Sequence, residues 1–155
     1  MTVKEVLEAA REAAIEIRRI EEEAEIRRQR IGVQGHGYDV HSKSGILDPM
    51  RKIDDLIEWE RTQTNVAELQ APIIEASDIV AGIDKLGDHG ATEIVTRYYL
   101  QGESWHEIVR AMESRNDYLK RLPRATQVKC LKEAIEPSLD LWESIGIAKL
   151  KELGR

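Results

Sequence analysis

Between Arg110 and Lys132 the chain sets seven basic side chains, Arg110, Arg115, Lys120, Arg121, Arg124, Lys129 and Lys132, against two acids, Glu113 and Asp117. The chemistry open to such a cluster is contact with a polyanion, because guanidinium and ammonium groups displace counterions from phosphates. The net charge of the whole sequence is −6, so this stretch, at +5, leaves −11 for the remainder. The acidity belongs elsewhere and this segment is locally positive, as nucleic-acid contact requires. A merely solvated helix face has a similar composition. The element in front of the basic run separates the two readings.

That element contains "YYLQGESWHEIVRAM", Tyr98 to Met112. Ala91, Ile94, Val95 and Tyr98 are spaced to share one face of a helix, and Gly102 supplies the left-handed stop that helix C-termini favour. Ser104 and Glu107 have the S-x-x-E spacing of a capping box, in which each side chain satisfies the other's backbone amide. Trp105, Ile108, Val109 and Met112 give a second helix its apolar face. Two short helices joined by Gly-x-Ser, with Trp105 as packing plug, form the corner that precedes the reading helix of a helix-turn-helix.

"RYYLQGESWHEIVRAM" followed by "SRNDYLKRL" resembles the fourth conserved region of bacterial sigma factors. It is closer still to phage-encoded transcription regulators of the ArpU/RinA kind and their relatives of unknown function. The likeness covers most of the chain in layout and Arg97 to Leu122 in motif. It implies sequence-specific binding of double-stranded DNA and transcription control, with RNA polymerase as a further partner, and it carries no enzymatic role. The chain departs from the pattern at Val109, Glu113 and Pro123.

Because proline removes a backbone donor and biases the residue before it away from helical angles, Pro123 leaves two registers open. In the first, Ser114 caps a reading helix from Arg115 to Leu122. Tyr118, Leu119 and Leu122 then pack inward, and Arg115, Asn116, Lys120 and Arg121 face DNA. In the second, Pro123 opens the helix with Val128, Leu131 and Ile135 inward, and Arg124, Thr126, Gln127 and Lys129 face the groove. The first needs no insertion after Trp105 and is preferred. Arg pairs with guanine, Asn or Gln with adenine, and Lys mainly with phosphate.

The elements that must position this corner read as all-α. From Val3 to Ile31 apolar residues recur at steps of three and four, giving a coiled-coil-like stripe on one helix that Gly32 ends. Pairs such as Glu16–Arg19 and Glu23–Arg27 support its outer face. Four glycines between Gly32 and Gly45 mark a flexible loop, 32–47. Asp48 and Pro49 then read as the N-cap and first residue of a second long helix, which Pro72 should kink or split. Residues 1–86 are thus expected to form a long antiparallel hairpin. A boundary at Gly87–Asp88 is expected to open a helix-turn-helix domain, 87–155, with a helical tail. A two-helix hairpin buries little surface by itself, so a homodimer through the hairpin is expected.

Composition fits this frame: 41% hydrophobic and 34% charged residues indicate a globular chain with long exposed helices. The single cysteine, Cys130, suits a reducing cytoplasm. No apolar leader or run of ~20 apolar residues appears, so no membrane span is expected. His36, Asp39 and His41 lack a fourth ligand at a metal-binding spacing, so no metal or other cofactor is expected. Cys130 with His106 or His89 matches no nucleophilic pattern, and Glu21 to Glu25 read as a solvated face. Two other classes remain: a phage assembly component such as a small terminase subunit, and a helix-turn-helix-derived interaction module that no longer contacts DNA.

Overall fold

The computed structural model describes the backbone of residues 1–36 and 49–155, and the side chains of 1–27, 57–58 and 61–155. Among the described residues all regular structure is helical: α1 (Val3–His36), α2 (Pro49–Lys85), α3 (His89–Val95), a π segment (Thr96–Leu100), α4 (Trp105–Glu113), α5 (Asp117–Arg121), α6 (Arg124–Ile145) and α7 (Ile147–Gly154). No described helix is long and apolar enough to cross a membrane.

Local chemistry accounts for most of these limits. Thr2 and Glu5 form a reciprocal cap at the start of α1: the Thr2 amide donates to Glu5 Oε2 at 2.7 Å and the Glu5 amide to Thr2 Oγ1 at 3.1 Å. Hydrogen bonds from the Thr2 amide, and then from its side chain, hold the Glu5 carboxyl below its ordinary range. Gly32 does not end the helix, which runs on to His36; glycine permits a stop, but costs only about 1 kcal/mol inside a helix. Pro49 opens α2 as expected, whereas the expected N-cap Asp48 and residues 37–47 of the expected loop lie outside the described residues. Pro72 does not split α2, which is continuous to Lys85. The proline forfeits one backbone hydrogen bond, and the turns after it are held by the buried side chains of Ala76, Ile79, Val80 and Ile83.

The chain has two compact units. One comprises residues 1–15 with 70–155, and the other residues 16–69. The near ends of both long helices therefore belong with the short C-terminal helices. In that unit Val3, Leu7 and Ala10 of α1 and Ile79 and Ile83 of α2 share one apolar core with Val95, Ile108, Val109, Leu131, Ile135, Trp142 and Leu150. Trp142 is its largest fully buried side chain. Gly82 makes the tightest approach: a Cβ there would lie 1.9 Å from the Leu150 carbonyl oxygen. Only a hydrogen lets α7 sit this close to α2, and Lys151 adds an ion pair to Glu75 at 2.9 Å.

The unit of residues 16–69 is held differently. Arg19 bridges Glu16 and Glu23, the latter at 2.7 Å, and its hydrogen bond keeps the Glu16 carboxyl below the usual range. Arg27 reaches Glu58 at 3.2 Å. Ile17, Ile20, Ala24, Val66 and Leu69 are half-buried, and none of this unit's described side chains is fully buried.

Candidate functional site

Asp88 starts the corner by accepting the Ala91 amide at 3.2 Å, which caps α3. The following π segment carries one residue more per turn than an α-helix, and the Gln101 amide reaches back five residues to Thr96 O at 3.0 Å. That extra residue advances the buried face by one position. Tyr99, 7% exposed, takes the place expected for Tyr98 beside Ile94 and Val95. Burial pushes the Tyr99 phenol up from its ordinary value.

Tyr98 instead stacks on Trp105, with ring centroids 4.4 Å apart and planes 27° from parallel. Arg11 covers the Tyr98 ring, its guanidinium carbon 3.6 Å from the centroid. Its Nη1 donates to the carbonyls of Tyr98 and Glu103, the latter at 2.9 Å. Carbonyls at the end of a helical segment lack partners within it, and Arg11 supplies one. Gly102 adopts φ +67 and is buried against α1, where a Cβ would meet Ile15 N at 3.1 Å. The sequence reading missed Arg11. The signal was available: Arg11 stands four residues after Leu7, a charged group where the apolar stripe continues.

The Ser104–Glu107 capping box is present in both directions, at 3.1 and 3.3 Å. Ile108 and Val109 are fully buried, and Met112 packs partly against the core. After α4 the structure departs from the preferred register. Ser114 does not cap the next helix; it ends α4, donating from Oγ to Ala111 O at 3.1 Å. Asn116 is the cap of α5, its Oδ1 accepting the Leu119 amide at 3.2 Å. Asn and Ser cap about equally well, and Ser114 is already spent on the end of α4. Helix α5 has five residues, ending before Pro123. Of its expected inward residues, Leu119 is 3% exposed, Leu122 is intermediate and Tyr118 is 70% exposed.

Pro123 opens the 22-residue α6, as in the other register, with Leu131 and Ile135 buried and Val128 partly so. Gln127, expected on the outer face, is 2% exposed. Its Nε2 donates to Glu113 Oε1 at 2.8 Å and to Leu119 O at 2.6 Å, so one amide ties α4, α5 and α6 together. Arg115 is also committed: it pairs with Glu93, which Arg97 approaches at 3.4 Å while contacting Glu103 at 3.3 Å.

Arg110, Lys120, Arg121, Arg124, Thr126, Lys129 and Lys132 are exposed. Lys129 lies 3.8 Å from Glu133, and Lys132 Nζ lies 5.8 Å from the Trp105 ring centroid. Lys120, Arg121 and Arg124 make no ion pair with the described residues. They flank the start of α6, whose first amides have no side-chain cap. Those amides carry the positive end of the helix dipole, so donors and cations converge on one patch. With Leu119 inward and about 100° of rotation per residue, Arg121 stands near the centre of the outer face of α5. Tyr118 and Lys120 stand to either side of it, and Asp117 adds one carboxylate.

Among the described residues no group of three or more His, Cys, Asp or Glu side chains could hold a metal ion. Asp39 and His41 lie outside the described residues, as does the His36 side chain. Cys130 is a half-exposed free thiol. No protein-family model, curated protein or solved structure matches the chain.

Proposed function

We propose that this chain binds double-stranded DNA as a transcription regulator, with the face from α5 to the first turn of α6 lying against the phosphate backbone. The observation that carries the reading is the set Lys120, Arg121 and Arg124: exposed cations that make no ion pair with the described residues, beside the uncapped start of a long helix. Phosphates satisfy both the cations and the helix amides, which no apolar or cationic partner does. In this reading α3 with its π segment, α4 and α5 form the helix-turn-helix. Residues 114–116 are the turn, α5 is a short reading helix, and Pro123 ends it. Arg115 and Gln127 support the corner, and Asn116 shapes the reading helix. The acidic remainder keeps non-specific contact with polyanions to this one face.

The test is a titration of fluorescently labelled duplex DNA with the intact chain and with a variant carrying Lys120→Ala, Arg121→Ala and Arg124→Ala. The intact chain binds at low salt, and the variant loses at least tenfold in affinity with an unchanged helical spectrum. Equal binding by the two sinks the assignment of this face. The second copy that the expected homodimer requires is proposed to dock on residues 16–69, where no described side chain is fully buried.

A further inference from the structure

Tyr118 is the one large aromatic side chain left in the open on the proposed DNA face, 70% exposed while its neighbour Leu119 is 3% exposed. A phenol ring held out in water beside Arg121 and Lys120 gains by burial against an apolar surface. On a duplex, the apolar group displayed in the major groove is the 5-methyl of thymine. The structure also commits the two amide side chains of this region to the protein itself. Asn116 spends its side-chain oxygen on the Leu119 amide, and Gln127 spends its amide nitrogen on Glu113 and Leu119. Neither can make the paired contact to adenine that their residue types suggest. The cations beside Tyr118 serve phosphate or guanine.

We infer that Tyr118 is the specificity-determining residue of this face and selects thymine at one position by packing its ring on the 5-methyl group. This rests on the DNA-binding reading above and adds to it the base that is recognised. Arg121, three residues on and adjacent on the helix surface, anchors the neighbouring phosphate and fixes how far the ring enters the groove.

The experiment first selects bound sequences from a random duplex pool with the intact chain. Each thymine of the selected duplex is then replaced in turn by uracil, which removes only the methyl. Affinities are measured for the intact chain, Tyr118→Ala and Tyr118→Phe. At one position uracil weakens binding by the intact chain and by Tyr118→Phe about tenfold, within the range of a single mismatched contact, and leaves Tyr118→Ala unaffected. The exposed ring supports no core, so all three proteins melt alike. If uracil has no effect at any position, or weakens Tyr118→Ala as much as the intact chain, the inference is overturned while DNA binding stands. If the intact chain retains no duplex at low salt, the underlying reading fails and takes this inference with it.

Discussion

Arg11 shows how much of this corner depends on a single side chain from a distant part of the sequence. Its guanidinium covers the Tyr98 ring and donates to two carbonyls that the π segment and the following turn leave without helical partners. A charged donor to partly buried acceptors contributes more than a neutral one, so Arg11→Ala should destabilise the chain by about 2–3 kcal/mol in chemical denaturation. Arg11→Lys should recover only a part, since an ammonium lacks the planar fork that stacks and donates together. A loss below about 0.5 kcal/mol for Arg11→Ala would remove Arg11 from this role. At this scale the sequence discloses what is local. Gly102, Ser104 and Glu107 act within a few residues of one another, and their spacing is sufficient. Thr2 and Glu5 carry the equivalent T-x-x-E signal at the start of α1. Register and residue type place Asn116, Gln127 and Arg115 on the outer face. Their actual partners, Leu119, Glu113 and Glu93, are set by how α3, α4, α5 and α6 pack, which spacing does not encode.

The helices themselves were legible where periodicity or capping is strong, and their exact joins were not. The stripe of α1, the proline opening of α2 and the boxed start of α4 all follow from sequence. The π segment did not, because an inserted residue leaves composition untouched and shifts only the face, replacing Tyr98 with Tyr99. Gly82 is the corresponding hidden feature of α2. Exposed helical glycine replaced by alanine gains up to about 1 kcal/mol. At Gly82 a methyl would collide with the Leu150 backbone, and overpacking of that kind costs about 3 kcal/mol, so the clash should win. Gly90, within α3 and with open space around its Cβ position, is the internal control. Thermal melts should show Gly82→Ala well below the parent and Gly90→Ala slightly above it. Equal shifts for the two would contradict the close packing of α7 on α2.

At the scale of the whole molecule, the sequence conveys a helical chain with a positive segment inside an acidic one. It does not convey that the compact units divide within the two long helices. The apolar stripe of α1 continues through both units, so its spacing does not separate Leu7, which is buried, from Ile20, which is half-buried. The sparse core of residues 16–69 leads to a prediction at this scale: light scattering should give a mass that rises to that of two chains with concentration. Ile20→Glu, placed where α1 is half-buried in that unit, should hold the chain as a monomer. A monomer at all concentrations contradicts the dimer, and a large closed ring favours an assembly component over a regulator. The most direct test of the central claim is the salt dependence of duplex binding. Contact by Lys120, Arg121 and Arg124 releases one counterion per phosphate, so log affinity should fall against log salt with a slope near −3, about −0.9 for each contact. Replacing all three residues with alanine should flatten that slope nearly to zero. An intact chain that binds no duplex at low salt, or a triple variant with an unaltered slope, would contradict the account.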